Sequence, residues 1–462
     1  MARADVATAQ RPAPPAAEQP TGTPRSGPLL ALLREYLDPA GLRAFAKSSP
    51  GRLIAIGLVL IGVSVIAGGV TAASISARQS GLGTLLDDTE PDSYSALRLY
   101  TSLSIADAAA STAFISGGLE PQAVRDRYTQ AVGEAAAELV TQSGHATTVG
   151  TDGAPDPDTR LRTGIATSLP MYSGLIEAAR ANNRTGYPVG AAYLSEASNE
   201  MQTKLLPMAQ ELHDHRSKAV TDAQQRHLRP PWTAITLLVV ALGLLVWVQS
   251  DLMRRWRRML NPGLLSASAA ILILLAWTVI AGSVSATAMI RGRDDGVVPA
   301  ARLTESRILA QQARAAETLK LVRRDATGDY DRTYDTNVAR LADLLAAYPD
   351  SAPAATEVKS ALPALDRWRR AHQRMNDTLE RGDFSGAAAV ATGPSVADSA
   401  AQVEAMDKAL ERGIVETRNN LRDNITQATK VLGFLASGGL VLGLAAAGCV
   451  GLGLWPRLRE YR

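Results

Sequence analysis

Four long apolar runs divide the chain. Each is about as long as the roughly 20 helical residues that cross the hydrocarbon core of a bilayer. None has a charged residue or a proline in its interior. The runs cover residues 53–75, 232–249, 264–290 and 431–455. One such run could be a buried core helix, but four with basic flanks predict an all-α membrane protein with four transmembrane helices.

Arginine and lysine near the ends of these runs predict the orientation. They gather before the first run, between the second and third, and after the fourth, and short basic segments stay in the cytoplasm. Segments 1–52, 250–263 and 456–462 are therefore expected inside a plasma membrane, with both termini cytoplasmic. The long segments 76–231 and 291–430 are expected outside.

The predicted cytoplasmic side is small. Residues 1–27 are rich in proline and alanine, a composition typical of a disordered tail. Residues 28–52 form an amphipathic segment that either lies on the inner leaflet or docks a soluble partner. Any signal must then pass to a separate protein.

The link 250–263 is predicted to be a tight basic hairpin. Asn261 and Pro262 are a good N-cap and first position for the third membrane helix. Four arginines make the hairpin a candidate contact for a cytoplasmic partner: Arg254, Arg255, Arg257 and Arg258.

Both outer segments are predicted to be four-helix bundles, about 35 to 40 Å tall at 1.5 Å per residue. Breaks rich in glycine and proline fall at helix-sized intervals, and alternating strand patterns are few. The last helix is expected to run from about residue 396 into the fourth apolar run as one rod. Its apolar or small positions follow an eleven-residue repeat, which keeps a stripe nearly straight: Val403, Met406, Leu410, Ile414, Thr417, Leu421, Ile425, Ala428 and Leu432.

A polar stretch, NNRTGYPVG, interrupts the first outer segment between two helical patterns. The up-and-down topology places it at the far tip, beside the turn between the first two helices. Its asparagines, glycine and proline suffice to end one helix and begin another. Arg184 and Tyr187 are not required by a turn, so Asn183, Arg184 and Tyr187 are the candidate contact for an outer partner.

Small residues recur every four positions in two of the apolar runs. Such stripes allow close helix contact, either within the chain or between the chains of a homodimer, although glycine and alanine are common in membrane helices generally. The positions are Ser64, Gly68, Ala72 and Ser76 in the first run and Gly439, Gly443, Ala447 and Gly451 in the last.

The remaining chemistry is sparse. The single cysteine, Cys449, lies in the fourth run, so the outer segments cannot form a disulfide. No phosphate-binding loop, nucleophile elbow or metal-ligand spacing occurs, which favours a protein that is no enzyme and holds no cofactor or metal. The net charge of +3 indicates little about partners, and no nucleic acid is expected among them.

Three stretches carry a resemblance to known proteins: LPMYSGLIEAARANNRTGYPVGAAYLSEASNEM, RRWRRMLNPGLL and AARLTESRILAQQARAAETL. With the four-span layout, they resemble the GlnX-type family of actinobacterial membrane proteins, and the outer bundles resemble four-helix chemoreceptor sensor domains. The resemblance implies a glutamine-type solute-binding lipoprotein outside and a Ser/Thr kinase, protein kinase G, inside. It implies control of nitrogen and glutamate metabolism, and it carries over no binding residues.

Three functions stay open at this point. The first is a signal-transducing receptor that senses an outer ligand or binding protein and has no enzyme of its own. The second is a structural protein that makes contacts in the cell envelope. A transporter component is disfavoured because the apolar runs lack the ionisable residues and broken helices that transport sites use.

Overall fold

The computed structural model describes residues 49–115, 120–143, 156–184, 189–227, 231–256, 261–324 and 327–459. Within these ranges the chain forms thirteen α-helices and three five-residue π-helical segments, and no strand. The prediction of an all-α protein is confirmed.

Four helices are long and apolar enough to cross a membrane, as predicted. They are α1 (Ser49–Thr84), α7 (Trp232–Trp256), α8 (Pro262–Gly292) and the second half of α13 (Ser399–Arg459). The helices α1 and α8 each pack against both α7 and α13. Asn261 caps α8 as predicted, since its side chain accepts a hydrogen bond from the Gly263 amide.

The first extramembrane bundle, called bundle 1, follows α1. It contains α2 (Glu90–Ile115), α3 (Gln122–Ser143), α4 (Pro157–Arg184), α5 (Val189–Glu200) and α6 (Leu206–His227). The helices α5 and α6 form one rod through a π segment. The core is rich in alanine around larger side chains: Leu99, Tyr100, Leu103, Ile165, Tyr172 and Met201.

The second extramembrane bundle, bundle 2, follows α8. It contains α9 (Val298–Arg323), α10 (Asp329–Ala346), α11 (Ala355–Glu380), the short α12 (Phe384–Thr392) and the first half of α13. Trp368 fills its centre, fully buried, with the ring of Tyr334 edge-on at 5.4 Å between centroids. The two bundles pack side by side through α2 and α9, and Leu97 of α2 belongs to the core of bundle 2.

The helix α13 runs unbroken for 61 residues from bundle 2 through the predicted membrane span. Every position of the eleven-residue stripe is buried, from Val403 at 7% exposure to Leu432 at 1%. This confirms the predicted continuous rod. One straight apolar face packs along its whole length.

All three π segments precede a proline in the same way. They span Leu85–Thr89, Met201–Leu205 and Arg293–Val297, and each is followed after one further residue by Pro91, Pro207 or Pro299. A proline in a helix lacks an N–H and clashes with the carbonyl four residues earlier, whereas the wider π turn moves that carbonyl away.

A proline inside a helical pattern usually ends or kinks the helix. Here the helix continues past both Pro91 and Pro207. It therefore continues from the membrane into bundle 1 through Leu85–Thr89 and into bundle 2 through Arg293–Val297.

Candidate functional site

A cleft of about 540 Å³ opens between the two bundles on the membrane side of the extramembrane region. Its walls come from α6 of bundle 1 and α9 of bundle 2, and α2 and α13 complete it. The volume lies in the range of small-molecule sites. Its apolar surface comes mainly from seven side chains: Leu97, Val220, Val297, Ile308, Leu309, Ile414 and Leu421.

The α6 wall carries a polar stripe. Gln210, Asp214 and Ser217 are spaced four and three residues apart, so they lie on one face of the helix. These three side chains make no hydrogen bond or ion pair within the part of the chain that the structure describes. Across the cleft α9 presents Thr304 and Glu305.

His213 also belongs to the α6 wall and is only 9% exposed. Burial lowers the pKa of its imidazole, against the charge of Asp214 and a hydrogen bond to the Ser93 backbone. The ring is therefore neutral at pH 7. Its Nδ1 atom is buried without a partner in the described structure, which leaves a hydrogen-bond acceptor unused.

A group of charged residues, here called the latch, closes the cleft at the junction of α1 and α2. Glu90, 5% exposed, accepts hydrogen bonds from the guanidinium groups of Arg418 and Arg422 on α13, the second at 2.8 Å. Arg418 also lies over the ring of Tyr94, 4.1 Å from its centroid. Arg422 further donates to the Leu86 carbonyl at 3.0 Å. The latch joins residues more than 300 positions apart.

Bundle 1 buries a carboxylate that has no cationic hydrogen-bond partner among the residues that the structure describes. Asp107 is 3% exposed and accepts hydrogen bonds from Ser198 Oγ at 3.1 Å, Gln202 Nε2 at 3.0 Å and Tyr172 Oη at 3.5 Å. Burial raises its pKa to about 6, and these three uncharged donors offset only part of that rise.

Bundle 2 buries a carboxylate that has a cationic neighbour, Arg314, and a histidine beside it. Glu317 is 1% exposed and lies 2.7 Å from Arg314 Nη1 and 3.1 Å from His372 Nδ1. Trp368 Nε1 and Ser399 Oγ also donate to it. Burial alone would raise its pKa, but the hydrogen bond from His372 and the charge of Arg314 hold the pKa below its usual value.

The predicted tip residues lie where α4 ends. Asn183 and Arg184 line a small cavity of about 20 Å³ together with Phe114 and Glu120, so the ends of α2 and α4 meet as the topology predicted. Arg184 is exposed. Tyr187 lies outside the described residues.

The predicted cytoplasmic contact is described in part. Arg254 is exposed near the end of α7, and Arg255 belongs to the same helix. Arg257 and Arg258 lie outside the described residues. Whether any of them contacts a partner stays a prediction.

Several of the small residues meet within the chain. A Cβ atom on Gly68 would lie 2.8 Å from the Cα of Gly443, and Gly439 faces Ala72, so α1 and α13 approach backbone to backbone there. Ser64 lies beside Gly443 and Ala447 is buried, but nothing lies within 4 Å of a Cβ built on Gly451.

Sequence reasoning missed the latch and both buried carboxylates. Asp107 and Glu317 do carry a signal, since each is an acidic residue within an alanine-rich helical stretch, DAAAS and ARAAETL. A charged residue on an otherwise small and apolar helix face is rarely buried without a partner. Glu90 carries no such signal, because it follows two aspartates in a region that resembles a polar loop.

Comparison with known proteins gives one match. Residues 81–225, which comprise bundle 1 and the end of α1, match the family model described as the actinobacterial sensor domain. No curated protein and no solved structure matches the chain. The match and the four apolar helices point to a sensing or signalling role in a multi-pass membrane protein. The narrower GlnX resemblance stays a prediction.

Proposed function

We propose that the protein is a transmembrane receptor that senses a ligand or a ligand-loaded binding protein outside the cell and relays the signal to a cytoplasmic protein. The observation that carries this proposal is the continuity of the helices. The helix from α1 to α2 and the 61-residue α13 each run from an extramembrane bundle through a predicted membrane span. A shift at one end of such a helix is transmitted to the other.

The latch supplies the coupling between the two halves. Because Glu90 of α2 binds Arg418 and Arg422 of α13, the two long helices are joined just above the predicted membrane surface. A movement of bundle 1 relative to bundle 2 therefore acts on both helices. Shifts of about 1 to 2 Å suffice in known helix switches.

The basic flanks support the orientation with both bundles outside and both termini in the cytoplasm. In this orientation the tip of bundle 1, where α4 ends at Asn183 and Arg184, is the part of bundle 1 farthest from the membrane. Asn183, Arg184 and Tyr187 are the proposed contact for a solute-binding lipoprotein loaded with an amino acid. The hairpin arginines are the proposed contact for a Ser/Thr kinase that controls nitrogen and glutamate metabolism.

The test is affinity purification of the full chain from its native membranes, with mass spectrometry of the proteins that copurify. We expect a solute-binding lipoprotein and a soluble kinase. Replacing Arg184 and Tyr187 with alanine should remove the first only, whereas alanine at the four hairpin arginines should remove the second only. Arg160→Ala, at the opposite end of α4, serves as the matched control. Recovery of neither partner would contradict the proposed relay chain.

A further inference from the structure

We propose that the cleft between the bundles binds a small organic cation, an ammonium or guanidinium group attached to an apolar body. The binding itself follows from the cleft, whereas its meaning as a sensed signal rests on the proposed function. Three properties of the walls carry the inference: unused acceptors, the lack of an available cation, and an apolar surface of suitable size.

Each of the unused groups offers an acceptor oxygen, and the Asp214 carboxylate has no donor of its own. The Asp214 carboxylate, the Gln210 amide and the Ser217 hydroxyl have no partner in the described structure, and all three face the cleft from α6. Across the cleft, Glu305 adds a second carboxylate, which in the described structure is paired with the exposed guanidinium of Arg340 at 3.1 Å. Carboxylates and neutral acceptors together recognise a group rich in N–H donors.

The single cation among the lining residues is already bound. Arg418 donates to Glu90, and its guanidinium lies 4.1 Å from the centroid of the Tyr94 ring. An anion entering the cleft would have to displace Glu90, a buried carboxylate that would then lack one of its two cationic partners. Weakening the pairing of a buried carboxylate is unfavourable, so the walls disfavour an anionic ligand.

The rest of the cleft suits a hydrocarbon body. Leu97 of α2 faces it, as do Ile308 and Leu309 of α9. Ile414 faces it from α13. At about 540 Å³ the cleft has room for a ring or a short alkyl chain. Such a ligand would touch α6 of bundle 1 and α9 of bundle 2 at once, so its binding would favour one relative position of the bundles over others.

The test is isothermal titration calorimetry on the full chain in nanodiscs of uncharged phosphatidylcholine, with empty nanodiscs as the blank. The probes are phenethylammonium, 2-phenylethanol and 3-phenylpropionate, which share a skeleton and differ in the charge of the head group. We expect saturable binding of phenethylammonium at one site. The alcohol and the acid should bind at least about tenfold more weakly, because a hydrogen bond to a charged group is lost.

Two variants locate the site. Asp214→Asn should weaken phenethylammonium binding about tenfold, whereas Glu211→Gln, which removes the same charge from α6 outside the cleft, should leave it unchanged. Ala301→Trp, which places a large side chain in the cleft, should abolish binding. Circular dichroism confirms that each variant is folded.

Equal or tighter binding of phenylpropionate, no saturable binding of phenethylammonium, or unchanged binding by folded Asp214→Asn would overturn the proposal. These results are separable from failure of the proposed function. If phenethylammonium binds as expected but leaves the spacing of the cytoplasmic helix ends unchanged, the ligand site stands and the relay through this cleft fails.

Discussion

Asp107 on α2 of bundle 1 and Glu317 on α9 of bundle 2 are both buried carboxylates, but of these two only Glu317 has a cationic partner in the described structure. Glu317 lies between Arg314 and His372. Asp107 in bundle 1 has only the uncharged donors Tyr172, Ser198 and Gln202. The same kind of residue therefore strengthens one bundle and weakens the other near neutral pH.

The difference indicates that the two bundles have different roles. A buried charge without a cation costs free energy, so the packing around Asp107 is the less stable of the two and the easier to rearrange. Bundle 2 also pairs its buried Arg307 with Asp407 at 2.8 Å, which reinforces its junction between α9 and α13. We infer that bundle 1, the part that matches a sensor domain, responds, and that bundle 2 is the support against which it moves.

The largest effect on stability is expected from removing the buried charge of Glu317 in bundle 2. Glu317→Gln leaves Arg314 buried without its partner, and breaking such a pair costs about 3 to 5 kcal/mol. The measurement is hydrogen exchange of peptides from α9 and α11, with Asp107→Asn as the matched change in bundle 1. If both variants lowered protection equally, the two carboxylates would not differ as described.

The stabilities of the two bundles should also depend on pH in different ways. The pKa of Asp107 is raised from 3.8 to about 6, so its favourable contribution is fully present below pH 3.8 and lost as pH rises through about 6. The rise corresponds to about 3 kcal/mol at 1.36 kcal/mol per pH unit. The pKa of Glu317 is lowered, so its contribution is present above pH 4.5 and lost as pH falls through its folded value.

Acidification from pH 7.5 to 5 should therefore restore the Asp107 contribution in bundle 1 and leave the Glu317 contribution unchanged. The lowered pKa of His213 acts against the gain in bundle 1, because its buried neutral ring resists protonation. Urea titrations of the full chain in detergent, with exchange read out separately for α2 and α9, check this. Asp107→Asn should remove the gain in bundle 1. A gain that persists in Asp107→Asn would assign it to another group.

Weakening the latch should let the two bundles unfold more independently of each other. Glu90→Gln removes the charge that holds Arg418 and Arg422, at a cost of about 1 to 2 kcal/mol. The two bundles should then unfold at more widely separated urea concentrations than in the unmodified chain. Coincident transitions in the variant would show that packing of α2 on α9 couples the bundles without the latch.

The smallest effect is expected at an exposed pair of bundle 2. Asp329 and Arg332 are both more than half exposed, and surface ion pairs contribute little. Asp329→Asn should change the free energy of unfolding by less than about 0.5 kcal/mol. A larger loss would mean that charge in bundle 2 matters wherever it lies, and not only where it is buried.

The apolar runs and the repeating apolar positions of the sequence were enough to predict the helical framework. Four uninterrupted apolar runs predicted the spans, and the stripe from Val403 to Leu432 predicted α13, because both signals are local and repeat along one helix. Asn261 before Pro262 likewise predicted the start of α8.

The site was not predictable in the same way. Glu90 meets Arg418 only after two bundles have folded beside each other, and nothing near Glu90 in the sequence indicates its partner. The π segments were missed because Pro91 and Pro207 suggest breaks or bends, whereas a wide turn lets the helix continue past them. The cleft arises from the relative position of α6 and α9, which no local pattern specifies.

In the proposed relay, contacts between the bundles determine the arrangement of the helices on the other side of the membrane. The direct test is a distance measurement by electron paramagnetic resonance in nanodiscs. Spin labels are placed on cysteines at Arg254 of α7 and Leu452 of α13 in a Cys449→Ser background. We expect Glu90→Gln to shift the distance between the labels by about 1 to 2 Å or to broaden its distribution. Asp329→Asn should leave the distance unchanged. Superimposable distributions with and without the latch would contradict the proposed relay.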